Sequence, residues 1–388
     1  MPTPHTPMTP TILLFDMDGV LLRSKGYYRG LQAAIKLLGQ NLGIASAEVS
    51  LEHIAKLESC GIYHIWDNMA VLSALLLTHI WPQKPDARIP TTLDPTPGAL
   101  PSYSDIDFTS FTQTLAAGRV YSMAQINELL LTQHSNLSAD QKATINLLLQ
   151  TSQEIYQSPV IPIMQEFVLG SQQFSQTYNL PSQLNTQSYP QLYDQAALSE
   201  KNHRQLLSWL KSKNHHAAFF TNRPSSAPEN FFGTPEAEIG ARTIGLQSLP
   251  MIGAGALAWW AHKNNAPALS FNKPHPAHAL AAMQAAVGRS IEQSLNAATA
   301  LVRDKPSTLD DWQVFRGAKL LAFEDSRAGL ESVQKACQRL STTGIPIDLH
   351  LIGISKQSDK MNSLREITDQ IFSDINDSPL TNIIYAQS

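Results

Sequence analysis

The fold class this 388-residue chain predicts is a parallel α/β sheet interrupted by a long helical insertion. Three observations predict it. Short apolar runs of strand length end abruptly in polar clusters. They are Thr11–Phe15 before Asp16-Met17-Asp18-Gly19, Ala217–Phe220 before Thr221-Asn222-Arg223, and Lys319–Phe323 before Glu324-Asp325-Ser326. Apolar runs without alternation suit strands buried on both faces. From about residue 200, such runs alternate with helical patterns, which gives a sheet with helices on both sides. Finally, 202 residues separate Asp18 from Thr221, most of them helical in pattern, so the sheet's first strand is far from its second.

Taken in order, residues 1–10 hold four prolines and read as a flexible tail. The first strand follows, and with it the core segment 11–24. The insertion, 25–200, carries amphipathic faces at Leu31, Ile35, Leu37 and Leu38, at Ile126 and Leu129–Leu131, and at Ile145–Leu149. Pro82, Pro85, Pro90, Pro95, Pro97 and Pro101 break helices and mark a long loop. Gln150–Gln195 has eleven glutamines and no Lys or Arg, yet keeps Ile161, Ile163, Phe167 and Leu169, so it reads as folded. Glu58-Ser59-Cys60-Gly61-Ile62 and Ile65-Trp66-Asp67 read as substrate-facing or as a helix-to-helix turn. The core resumes over 201–388, with helices at Leu206–Leu210 and Arg327–Leu340 and a strand at Asp348–Ile354. The 249–261 run with Trp259-Trp260 reads as core or as an oligomer surface.

Composition excludes several classes. Hydrophobic residues make up 43% of the chain, enough for a sizeable core and too many for a wholly disordered one. A net charge of −4 provides no basic field for nucleic acid. The longest apolar stretch is too short to span a bilayer, which takes about 20 residues. Cys60 and Cys337, far apart, build neither a disulfide framework nor a zinc cluster. The expectation is a soluble, cytoplasmic protein with no nucleic-acid or membrane partner.

The strand ends carry the chemistry, since ligands of parallel sheets bind beyond the carboxyl ends of the strands. Asp16 and Asp18, two residues apart, repel unless a cation or a shared proton relieves them. Mg²⁺ suits such a pair because it is held by one or two carboxylates, waters and phosphate oxygens. Asp325 would complete the cage. The Thr221 hydroxyl and Asn222 suit phosphate oxygens, and Lys273, before Pro274, can neutralise a carboxylate pair or a phosphoryl group. Each motif also has a plain structural explanation: a polar turn, a local cap, an exposed lysine, an N-cap with acids beside it. Their order along the chain, Asp-x-Asp, Thr, Lys, Glu-Asp, points to a single site.

On Asp16-Met17-Asp18-Gly19-Val20, Thr221-Asn222-Arg223-Pro224, Lys273-Pro274 and Glu324-Asp325-Ser326-Arg327-Ala328-Gly329, the chain resembles the haloacid dehalogenase (HAD) superfamily. It looks most like the phosphoglycolate phosphatase and β-phosphoglucomutase branch. The resemblance implies a Rossmann-like core and an inserted helical cap. It implies a hydrolase of phosphate monoesters, acting on a small phosphorylated metabolite through an aspartyl-phosphate on Asp16. Asp18 would be the general acid/base, and Thr221, Asn222 and Lys273 would hold the phosphoryl group. Mg²⁺ would bind Asp16, the Asp18 main-chain carbonyl and Asp325, with Glu324 as ligand or just behind. The alternatives are a phosphomutase or phosphotransferase on a sugar phosphate, and a non-catalytic binding or regulatory protein. Arg23-Ser24 depart from the branch's usual acid and Ser. Arg23 or Arg223 would read a second anionic group or form a surface ion pair. Lys263 and Lys305 are the substitutes for Lys273, and its spacing implies added helices around 250–265 and 280–315.

Overall fold

The computed structural model describes residues 9–94, 103–116, 119–303 and 306–386. The chain divides into two compact units, Met1–Ser24 with Asp194–Ser388, and Lys25–Tyr193. The fold is α/β, as the strand runs predict. In the first unit, β1 (Thr11–Phe15), β4 (His215–Phe220), β5 (Met251–Ile252), β6 (Lys319–Glu324), β7 (Asp348–Ile354) and β8 (Ile371–Phe372) form one sheet. Its order is β5-β4-β1-β6-β7-β8, with every pair parallel. A second, two-stranded antiparallel ribbon joins β2 (Leu22–Arg23) to β3 (Gln195–Ala196). That pairing opens the unit's second segment at Asp194, ahead of the expected residue 201.

The sheet order makes β1 the switch point. The chain leaves β1 toward one edge through β4 and β5, then crosses to build β6, β7 and β8 on the other side. Flanking strands therefore run away from β1 in opposite directions, and a crevice opens at its carboxyl end. Register brings the polar clusters level there, because Phe15 lies opposite both Phe219 and Phe323.

Period-2 alternation sorts the side chains. Ile12, Leu14, Ala218, Phe220, Leu320 and Ala322 pack on one face with Trp259, Trp260, Leu280 and Met283. Leu13, Phe15, Ala217, Phe219, Leu321 and Phe323 pack on the other with Leu206, Trp209 and Ile384. The Trp pair is thus core. The 249–261 run is not a single element: it splits into β5 and the helix Ala254–Lys263, and the helices Pro276–Ala286 and Ile291–Val302 follow.

The second unit is helical. Its helix Ile65–Ile80 is buried nearly all round, as its near-continuous apolar sequence demands. Ser50, Ser122 and Ser138 each close a capping box at a helix start. The glutamine-rich stretch folds into the helices Ile161–Leu169, Ser171–Tyr178 and Tyr189–Tyr193. Two of its buried polar side chains are well partnered: Glu166 accepts from Ser171 Oγ and from the Gln183 and Leu184 amides, and Gln165 accepts from Trp66 Nε1. Asp67 accepts from Ser152 and Gln153 at a helix start, so the Trp66-Asp67 pair holds helices together within this unit. No helix forms over residues 81–94; Pro95, Pro97 and Pro101, like the tail residues 1–8, lie outside the described residues.

Candidate functional site

Asp16 is the first residue after β1 and continues the Ile12–Leu14 side of the sheet; Glu324, the last residue of β6, continues Leu320–Ala322 on the same side. The helix Pro276–Ala286 packs on that side, and Lys273 stands just ahead of it. The three side chains therefore meet. Lys273 Nζ donates to Asp16 Oδ1 at 2.7 Å and also bonds Glu324 Oε1. Its ammonium lies 4.1 Å from the centre of the Phe220 ring. Oxygens of Asp16, Glu324 and Asp325 all fall within 4.8 Å of one another.

Two glycines make this proximity possible. Gly19 has φ 78°, and a Cβ on it would stand 2.5 Å from Asp325 Oδ2. A Cβ on Gly329 would stand 1.9 Å from the Glu324 carboxyl carbon. Ser326 does double duty here. It caps the helix Arg327–Thr342 by accepting from Gly329 N at 3.2 Å, and it donates its hydroxyl to Glu324 Oε2 at 2.8 Å. The Glu-Asp-Ser-x-x-Gly spacing is thus a carboxylate seated on a helix start.

The electrostatics are crowded. Burial raises Asp16 well above the usual carboxylate range; Lys273 opposes this, while Glu324, Asp325 and Asp18 push it further up. Glu324 is raised by burial too, with Lys273 opposing and Asp325 adding. Burial alone would depress Lys273, but Asp16 and Glu324 hold it above its ordinary value. Asp325 pairs with Lys360. In the convergent cluster itself, three carboxylates (Asp16, Glu324, Asp325) face two cations (Lys273, Lys360), so the acids outnumber the cations. An all-oxygen donor set with that surplus fits a hard divalent cation.

Asp18 is held apart from the cluster. Its Oδ1 accepts from Arg223 Nη1 at 2.8 Å and from the Ser24 hydroxyl. Arg223 Nη2 reaches Asp194 at 3.1 Å, and both of those side chains are shut away from solvent. Arg223 is therefore no surface ion pair, and its guanidinium is turned inward onto the acid. Arg23 is the exposed one, paired with Asp374 at 3.0 Å. Thr221 is buried, and its Oγ1 accepts from Arg223 N at 3.1 Å, which is the local cap; the hydroxyl proton takes no part in that bond. Asn222 is exposed. Lys263 pairs with Glu229 and Glu292 on the surface, and Lys305 is outside the described residues.

Sequence reasoning missed Asp194, Lys360 and His278. Asp194 left one signal, as the first charged residue after Glu166. His278 lies under the site, fully buried, with Nε2 on the Ile252 carbonyl at 2.9 Å and its ring edge-on to Phe220. Burial, then Lys273, drives its pKa down to about 3. Because the folded chain refuses a proton that the unfolded chain accepts near 6.5, this residue costs stability as pH falls through that window, at about 1.4 kcal/mol per pH unit. The variant His278→Gln is expected to be less stable than the parent at pH 7.5. At pH 5 that gap closes by about 2 kcal/mol, as urea unfolding at both pH values will read. A gap independent of pH would mean that His278 titrates normally.

No family model matches this sequence, and no curated protein matches it. A solved structure does, an X-ray structure of a Northeast Structural Genomics Consortium target. It aligns over 97% of this chain and 98% of its own, with a TM-score of 0.63 and 16% identity. At that identity the likeness establishes the fold, an α/β sheet with a helical insertion. Among the described residues no helix is long and apolar enough to cross a membrane.

Proposed function

We propose that the chain is a Mg²⁺-dependent phosphatase that hydrolyses a phosphate monoester of a small metabolite through an aspartyl-phosphate on Asp16. The observation that carries this reading is the meeting of Asp16, Glu324, Asp325 and Lys273 at the β1 switch point, with a second carboxylate, Asp18, held separately two residues on. A single carboxylate cluster would explain ion binding alone; the separately held acid is what group transfer adds.

In the first step the Asp16 carboxylate oxygen bonds phosphorus as the bond to the leaving oxygen breaks. Asp18 gives that oxygen its proton. In the second step water attacks the aspartyl-phosphate, Asp18 takes the water's proton, and phosphate leaves with Asp16 restored. Arg223 and Ser24 hold Asp18 at one carboxyl oxygen, so its other oxygen is presented for proton transfer. Lys273 offsets charge between the anionic nucleophile and the anionic phosphate. Thr221 offers its hydroxyl proton to a phosphoryl oxygen. A cation held by Asp16, Asp325 and the Asp18 carbonyl, with Glu324 as ligand or just behind, would neutralise the remaining charge.

The purified chain with millimolar Mg²⁺ is expected to release phosphate from at least one member of a broad panel of phosphorylated metabolites, and to stop when EDTA is added. Silence across the panel and on an aryl phosphate would favour a binding protein instead.

A further inference from the structure

The two lysines at the carboxylate cluster are not equivalent. Lys273 is locked in, its side chain 4% exposed and clasped by two carboxylates. Lys360 comes from outside. It stands on the helix Ser358–Arg365, beyond β7, and reaches back to Asp325 with its side chain 47% exposed. Asp325 is one of the three carboxylates whose oxygens converge, and Lys360 occupies an oxygen of it. Beside this pair opens a cavity of about 270 Å³, lined among others by Gly19, Ser355, Gln357, Lys360 and Asp374. Its wall therefore carries a second carboxylate, Asp374, already paired with Arg23 and 3.9 Å from Lys356.

We propose that Lys360 is a tethered competitor for the divalent cation: it neutralises Asp325 while no ion is bound and withdraws into the adjoining cavity when Asp325 becomes a ligand. This rests on the cation-dependent reading above and adds to it a regulation of ion affinity. The physical grounds are plain. An ammonium on Asp325 offsets negative charge that a divalent ion would otherwise meet and is repelled by that ion, and without Lys360 the three carboxylates of the cluster face Lys273 alone. The lysine is exposed enough to move at low cost, the cavity gives it room, and Asp374 gives it a place to go. Ion binding at this site is then an exchange, with its affinity set by how firmly Lys360 holds Asp325.

Isothermal titration of the metal-stripped full-length protein with MnCl₂ tests this without recourse to activity. Lys360→Gln is expected to lower the Kd for Mn²⁺ about tenfold, equivalent to about 1.4 kcal/mol. Lys356→Gln removes a like charge from the same cavity but no contact with Asp325, and should change the Kd by less than about twofold. Circular dichroism confirms that both variants fold. An unchanged or weaker Kd in Lys360→Gln, with Mn²⁺ still bound by the parent, overturns the competition and leaves the cation site standing. An equal gain in Lys356→Gln also overturns it, since a general field would then explain both. No Mn²⁺ uptake by parent or variant sinks the cation-dependent reading itself.

Discussion

Replacing Asp16 by Asn is expected to reduce phosphate release by about 10⁴-fold or more, the usual scale for losing a nucleophile. The shape of the side chain is kept, so the loss is one of chemistry: an amide does not form the acyl phosphate. The same substitution should stabilise the metal-free protein by about 1 kcal/mol, because it removes one ionisable oxygen acid from a buried cluster with surplus negative charge. Loss of turnover with gain of stability is a signature that a merely structural carboxylate would not give. Asp18→Asn should behave differently. Proton donation matters most for poor leaving groups, so the variant is expected to lose more on an alkyl phosphate than on an aryl phosphate, whose leaving oxygen needs little help. Stopped-flow and steady-state phosphate release on both substrate types measure this. Near-normal turnover in Asp16→Asn would remove the nucleophile from the proposal.

Much of the sheet was legible because a buried parallel strand announces itself locally. Thr11–Phe15, Lys319–Phe323 and Asp348–Ile354 are apolar runs of the right length, and the observed β1, β6 and β7 coincide with them or extend them by a residue. The two-residue strands were not legible. Met251–Ile252 and Ile371–Phe372 contribute only a few ladder bonds, and Met251–Ile252 lies inside a run whose apolar character continues into a helix. The cluster of Asp16, Lys273, Glu324 and Asp325 was legible as residue types at strand and loop ends, since the sheet order brings those ends to one edge. What escaped was pairing at a distance. Arg223 looked like a surface residue because its partner Asp194 is 29 residues upstream, in a stretch with no motif. Lys360 sits 35 residues beyond Asp325 on a polar helix that resembles any solvent-facing one. Nor does any local pattern mark His278 as buried, because its helix is made mostly of alanines that pack on both sides.

Lys273→Met should produce the largest loss of stability. Among the described residues the ammonium is the one cation paired with both Asp16 and Glu324, and its side chain is almost wholly buried with theirs. Removing one partner of a buried pair strands the others, at a cost of about 3–5 kcal/mol. The cost should depend on pH in a definite direction. Burial already holds Asp16 and Glu324 above the ordinary carboxylate range, and without the ammonium they rise further. A carboxyl that is harder to ionise in the folded chain keeps its proton when the unfolded chain has lost it. Stability therefore falls as pH rises from the ordinary carboxyl range toward neutrality. The deficit of Lys273→Met is expected to be greater at pH 7.5 than at pH 5 in urea unfolding, and millimolar Mg²⁺ should narrow it at pH 7.5 by supplying the missing positive charge. A loss below about 1 kcal/mol at both pH values would place Lys273 among surface ion pairs in energetic terms. The charge balance that assigns this cluster its cation would then fail with it.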